Sequence, residues 1–599
     1  MRADTGAASL DVTPSPSRCT SAPRRRPDRP AGRTSALVEG TGGWTEARPG
    51  QVPRTQRFWR RQVAKSRKRW WAVTALAVAA LVSVGAVGAG TTGPERGSGV
   101  ARTGQGLVRG TVTADHLSFR GIPYAAAPVG ALRWRSPQPA PAWSGVRDAT
   151  RPGPGCAQLA GLPTDRPSVS EDCLYLNVTA PPTRRGGKPL PVVVWLHGGH
   201  FFLGQGDTWG GRTMAVGGDV VVVTVNYRLG PLGFLTRPDV GGSGNFGLED
   251  QQAALRWVRA NIAAFGGDPR NVTLAGQSAG ATSVCAHLAA PDSAGLFHRA
   301  ILQSNSCSTP LRTRRETAAG ADALVAAVGC DGDAAGVAAC LRGRSAQELI
   351  EAAGYPGQSA WESGPVAGGP MLPVDPAEAV ATGRFHRVPI LIGVTRDEYR
   401  AQVWGMERTG MLCAPGQEMP CALTAEQHRE QLGATFDAQA SKVAARYPLA
   451  TYGTPSEALS AAMTDFQYAQ PVLETAAQFS RYVPTFMYEF ADREAPFFTE
   501  AAPVSFPTGA YHTAELPYLF AVDYARPLSA AQQRLSAVLA GYWTTFAHHG
   551  DPNRRGLPSW TRFDARSGYV QRLATGPGGV GRTDFAREHQ VAFWRSVPS

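Results

Sequence analysis

Apolar and polar positions along the chain follow two alternating patterns. Pro191–Leu196 (PVVVWL) and Val220–Val225 (VVVVTV) are mainly apolar runs rich in β-branched residues, the pattern of strands covered on both faces. Leu248–Phe265 instead sets Leu255, Val258, Ile262 and Phe265 on one helical face, and Gly266-Gly267 predicts its end. Asn271–Ala275 (NVTLA) predicts a short strand, and ATSVCAHLA from Ala281 to Ala289 a helix. Strands alternating with helices predict an α/β fold with a large, mostly parallel central sheet flanked by helices. From Gln105 to the end of the chain nothing reads as a linker or a repeat.

The N-terminal region has neither pattern. Residues 1–69 are rich in Arg, Pro, Ser, Thr and Gly and predict a disordered basic tail. Trp70–Gly90 carries no charge, and about twenty helical residues at ~1.5 Å each cross a ~30 Å hydrocarbon core. The basic cluster from Arg60 to Arg69 places the N-terminus inside and the body outside. Two fates of the span are open. It is a signal anchor that tethers the body to the membrane, or a leader cleaved near Ala86, Gly88 and Ala89. Residues 91–104 read as a linker and 105–599 as one continuous body.

The chain's net charge of +13 would suggest a nucleic-acid partner until it is located. Residues 1–70 hold sixteen Lys/Arg against five Asp/Glu, leaving only +2 on the other 529 residues. A nucleic-acid-binding body is therefore not expected. Of nine cysteines, Cys156/Cys173, Cys330/Cys340 and Cys413/Cys421 fall as three locally spaced pairs, which agrees with export. Spacing alone leaves their connectivity open. Cys285 and Cys307, in apolar segments, are expected to be buried thiols. No Cys-x-x-Cys or His-rich spacing occurs, so no zinc site is expected.

Between the predicted strand and helix stands Gly276-Gln277-Ser278-Ala279-Gly280. Gly-x-Ser-x-Gly in that context is a nucleophile elbow, a turn so tight that residues two away on either side must lack bulk. It lifts a serine hydroxyl above a helix N-terminus, where N–H groups favour negative charge. His197-Gly198-Gly199-His200 follows the PVVVWL strand and offers a loop of oxyanion donors. The backbone N–H groups of Gly199, His200 and Ala279 are the candidates, each worth about 3 kcal/mol of barrier.

These motifs resemble the type-B carboxylesterase/cholinesterase family of α/β-hydrolases. Phe265–Gly280 is similar to its serine signature over the whole length, and Ser170–Val178 (SEDCLYLNV) to a second signature around a disulfide cysteine. FRGIPYAAAPVGALRW (119–134), NYRLGPLGFL (226–235), GNFGLEDQQAALRWV (244–258) and WTTFAHHGDPN (543–553) also fit, so the resemblance covers about residues 105–595. It implies an α/β-hydrolase fold and a serine carboxylesterase without metal or organic cofactor, acting on a small-molecule ester. PILIGVTRDEYR (389–400) offers Asp397 and Glu398 as the triad acid, and the family pattern selects Glu398. GAYHTAELPYLF (509–520) supplies His512 as the base. His298, His386 and His428 read as surface or polar-core residues, and His548 and His549 have no acid partner in view.

Three positions depart from the family pattern. His200 stands where the oxyanion loop has a third glycine, Tyr399 follows the acid where glycine is usual, and Gln277 replaces a glutamate before the serine. Residues between Cys156 and Cys173 contain no Trp, so the cation–π site of the cholinesterase branch is missing. The expectation is a general carboxylesterase on neutral esters. A lipase-like esterase and a non-catalytic adhesion relative are the alternatives.

Overall fold

The structure is a computed structural model that describes residues 99–160, 166–182, 187–355, 359–413, 419–499 and 505–597. The predicted tail 1–69, the span 70–90 and residues 91–98 lie outside the described residues. Eleven strands build the main sheet: β1 (Thr111–Val112), β2 (Leu117–Pro123), β3 (Tyr175–Ala180), β4 (Leu190–Leu196), β5 (Val221–Val225), β6 (Gly267–Gln277), β7 (Arg299–Gln303), β8 (Ile390–Thr395), β9 (Thr485–Phe490), β10 (Val570–Leu573) and β11 (Val580–Thr583). Their order across the sheet is β11-β10-β9-β8-β7-β6-β4-β5-β3-β2-β1. The strands from β4 to β10 are mutually parallel. The two edges run antiparallel. This is the α/β-hydrolase arrangement that the sequence motifs imply.

The apolar runs are strands because both sheet faces are covered. Along β4 the side chains of Val192, Val194 and Leu196 enter one core cluster, while Val193 and Trp195 enter the other. Successive residues of a strand point to opposite faces, so a continuous apolar run fits only a sheet packed on both sides. Helix Phe246–Asn261 covers the first face through Leu248, Leu255 and Val258. Helix Ala530–His549 covers the second through Leu539, Tyr542 and Phe546.

β4 lies between β5 and β6, so the chain leaves β4 to one side and later returns to the other. The carboxyl ends of strands at such a reversal leave a crevice, the usual ligand site of an open α/β sheet. The loop His197–His200 follows β4 and Ser278 follows β6, so both open into it.

Four expectations need correction. Val100–Arg102, within the segment read as linker, is a strand paired with Leu107–Arg109. The elbow strand is longer than Asn271–Ala275, starting at Gly267 because Gly266 at φ 92° ends the preceding turn alone. The predicted helix 248–265 stops at Asn261 and continues as a 3₁₀ turn over Ile262–Phe265. Cys285 and Cys307 are not free thiols but form a disulfide with a Cα separation of 5.4 Å. The apolar segments holding them face each other, so two buried sulfurs meet. The Cys156–Cys173, Cys330–Cys340 and Cys413–Cys421 disulfides form as the local spacing suggests. Among the described residues no helix is long and apolar enough to cross a membrane.

Candidate active site

Ser278 sits between β6 and helix Ala279–Ala289 at φ 56° and ψ −122°, a conformation L-residues avoid. Close packing enforces it. A Cβ on Gly276 would lie 2.4 Å from the Gly280 carbonyl, and one on Gly280 would lie 2.0 Å from the Leu196 carbonyl oxygen. The Ser278 N–H donates to the Gln303 carbonyl at the end of β7 at 2.8 Å, which fixes the turn against its neighbour strand. Helix Ala279–Ala289 then begins directly under the serine, with its first N–H groups free of helical partners.

His512 and Glu398 come together from segments 114 residues apart. Glu398 follows β8 and is fully buried. Its Oε2 accepts from His512 Nδ1 at 2.6 Å, and its Oε1 accepts from the Thr395 N–H at 2.8 Å. The His512 N–H donates to the Glu398 carbonyl at 3.1 Å, so backbone and side chain both hold the imidazole. Asp397, the neighbouring candidate acid, faces elsewhere: it accepts from Arg493 at 2.8 and 3.0 Å and from the Ala510 N–H at 3.0 Å. With the proton on Nδ1, His512 Nε2 is an acceptor, and the Gln277 side-chain amide donates to it at 3.0 Å. The Ser278 hydroxyl has no hydrogen-bond partner among the described residues.

The loop after β4 lies over the elbow. Gly199 adopts φ 107°, and a Cβ there would meet the Leu203 carbonyl oxygen at 2.2 Å. The N–H groups of Gly199, His200 and Ala279 donate to no other backbone group among the described residues. His197 stacks on Tyr227 with centroids 4.4 Å apart and bonds the Gly198 carbonyl at 2.8 Å. Burial pulls its pKa down to about 4 and keeps it neutral. A cavity of about 220 Å³ opens beside Ser278 and His512, walled by Leu203, Trp209, Trp404, Phe498 and Tyr524. Among the described residues no carboxylate, lysine or arginine lines it.

Comparison with known proteins agrees with this geometry. Residues 97–594 match the model of the carboxylesterase family. The para-nitrobenzyl esterase of Bacillus subtilis (strain 168) is 36% identical over 486 residues, covering 78% of this chain and 92% of its own. The Homo sapiens cocaine esterase is 34% identical over 542 residues, covering 84% and 92%. A solved thermophilic PNB esterase superposes with a TM-score of 0.67 at 33% identity, covering 82% of this chain and 99% of that one. The chain belongs to the carboxylesterase family. It is a carboxylic ester hydrolase, and its substrates are small-molecule esters.

Behind the triad candidates this carboxylesterase carries a buried polar cluster that sequence reading missed. The Gln303 amide donates to Glu515 Oε1 at 2.8 Å, and Trp543 Nε1 donates to Gln303 Oε1 at 3.0 Å. Burial, and then the nearby Glu398 charge, push the Glu515 carboxyl up to about 7. Glu515 is three residues beyond His512, but only the folded chain shows that it faces the same buried space. Among the described residues no group of three or more His, Cys, Asp or Glu is placed to hold a metal ion. The four disulfides belong to an oxidising compartment and mark an exported protein.

Proposed function

We propose that Ser278 is the nucleophile, His512 the general base and Glu398 the acid that orients it. The observation that carries this is the 2.6 Å contact of His512 Nδ1 with a fully buried Glu398, beside a serine on a strained elbow. In the resting site Gln277 occupies His512 Nε2, and substrate entry exchanges that amide for the serine hydroxyl. Apo sites commonly hold such bonds loosely until substrate binds. Nε2 then takes the Ser278 proton as Oγ attacks the ester carbonyl, and the oxyanion accepts from Gly199, His200 and Ala279. The imidazolium returns its proton to the leaving alcohol, and water repeats the cycle on the acyl-enzyme.

The uncharged, aromatic wall of the cavity supports neutral esters as substrates. Choline esters gain no advantage over alkyl esters in kcat/KM on this reading. The basic cluster before residues 70–90 supports display of the body outside the cell, with the span kept as an anchor or removed after export.

The direct test is hydrolysis of p-nitrophenyl acetate and butyrate by the full chain and by Ser278→Ala. The variant is expected to lose on the order of 10⁴-fold or more in kcat. Retention of activity within tenfold of wild type would remove Ser278 from the chemistry.

A further inference from the structure

We infer that a second substrate subsite, suited to an aryl group, lies beyond the catalytic cavity and is closed off from Ser278 by the ring of His200. This rests on the serine-esterase reading above. His200 lines two cavities at once, the one of about 220 Å³ at Ser278 and another of about 130 Å³ walled by Phe202, Gly354, Trp361, Glu362 and Ser363. Among the described residues no other side chain is common to both.

Packing does not account for a side chain at this position. His200 and Phe201 are consecutive non-glycine residues in the left-handed region, at φ 50° and 62°. Each such residue costs on the order of 1–3 kcal/mol. Phe201 offsets that by burial, its ring 5.0 Å from the ring of Phe234. His200 keeps solvent-accessible surface and makes no side-chain hydrogen bond among the described residues; its ring centroid lies 6.2 Å from that of Phe202, and desolvation, with His512 nearby, pulls its pKa down to about 4. Glycine would hold the same backbone without strain and still present the N–H. What the imidazole adds is bulk between two spaces.

The chemistry of the outer cavity follows from its walls. Ser363 Oγ already donates to the Phe201 carbonyl at 2.9 Å, and the Glu362 carboxylate is paired with Arg312 at 2.6 Å. The aromatic part of the wall is Phe202 and Trp361, the latter a buried residue only 6% exposed, beside the Arg312-paired Glu362 carboxylate. Such a pocket receives an uncharged aryl group by stacking or edge contact. In the wild type the His200 ring keeps that group out, so the enzyme favours esters that are small on the oxyanion-loop side.

The test compares kcat/KM for bulky and small esters in two series. One is p-nitrophenyl 4-phenylbutyrate against p-nitrophenyl acetate, and the other is 3-phenylpropyl acetate against ethyl acetate. The ratio within a series cancels any change in the oxyanion hole itself. His200→Gly is expected to raise the bulky-to-small ratio by about tenfold or more in one series, the scale of steric discrimination in an apolar pocket. His200→Phe keeps the wild-type ratio, and adding Trp361→Ala to His200→Gly reduces the gain. An unmoved ratio in both series overturns the subsite, as does a folded His200→Gly with no turnover of any ester. Failure of the wild type to hydrolyse every ester would instead bring down the esterase reading on which the subsite rests.

Discussion

Ser278 is held in a disfavoured backbone region because Gly276, Gly280 and the Leu196 carbonyl leave the chain no other path. The same constraint projects Oγ over a helix N-terminus, where N–H groups favour negative charge. Glu398 holds the imidazole from the other side and fixes its tautomer. Glu398→Gln keeps the shape and the His512 N–H to Glu398 carbonyl bond, but leaves the ring without an anionic partner. A loss of about 10⁴-fold in kcat with a native circular dichroism spectrum is expected. A loss below tenfold would make Asp397 or another group the acid. The Gly-x-Ser-x-Gly elbow was legible in the sequence because steric need dictates its glycines. Between Asp397 and Glu398 only the family resemblance chose, pointing to Glu398, since adjacent carboxylates differ by themselves only in where the folded chain turns them. Glu515 was invisible for the same reason: its neighbour Gln303 is 212 residues away.

Elements with a strong pattern were read correctly and their ends were not. β4 and β5 are buried throughout and, Thr224 aside, apolar, because both faces are covered, a condition that leaves a recognisable run of Val. The start of β6 depends on where Gly266 turns, which the hydrophobic pattern does not record. The Cys285–Cys307 disulfide escaped for a related reason. Both cysteines lie in buried segments whose contact is tertiary, 22 residues apart, and burial alone favours a thiol equally. This bond ties the helix under Ser278 to the loop after β7, the strand whose Gln303 carbonyl receives the serine N–H. Replacing both cysteines by Ala is expected to lower unfolding free energy by about 2–4 kcal/mol. Denaturant titration of the double variant measures it, and an unchanged midpoint would show that packing alone holds the helix.

At the scale of the molecule, the reversal of strand order around β4 creates the crevice and the C-terminal segment closes the far side of the sheet. His589 anchors that segment, donating to Asp465 at 2.5 Å through Nδ1 and to Glu489 of β9 at 2.8 Å through Nε2. Burial opposes its charge, but the two carboxylates outweigh burial and raise its pKa from 6.5 to about 10. A raised pKa means that the folded state holds the proton more tightly. The contribution is therefore fully present below pH 6.5 and is lost as pH rises through about 10. His589→Gln is expected to cost about 3–5 kcal/mol near neutrality, the scale of a broken buried ion pair. Its deficit against wild type in urea unfolding should shrink between pH 7 and pH 10, and a deficit constant across that range would contradict the charged state assigned to His589.

The central claim is that Ser278 is an activated nucleophile, and covalent trapping tests it most directly. A fluorophosphonate reacts with a serine whose hydroxyl is deprotonated by a neighbouring base and whose oxyanion is received. After incubation with the full chain, peptide mass spectrometry should find one phosphonyl adduct, on the peptide holding Ser278, with ester hydrolysis lost in step. An adduct on another residue, or undiminished hydrolysis with Ser278 fully modified, would contradict the account.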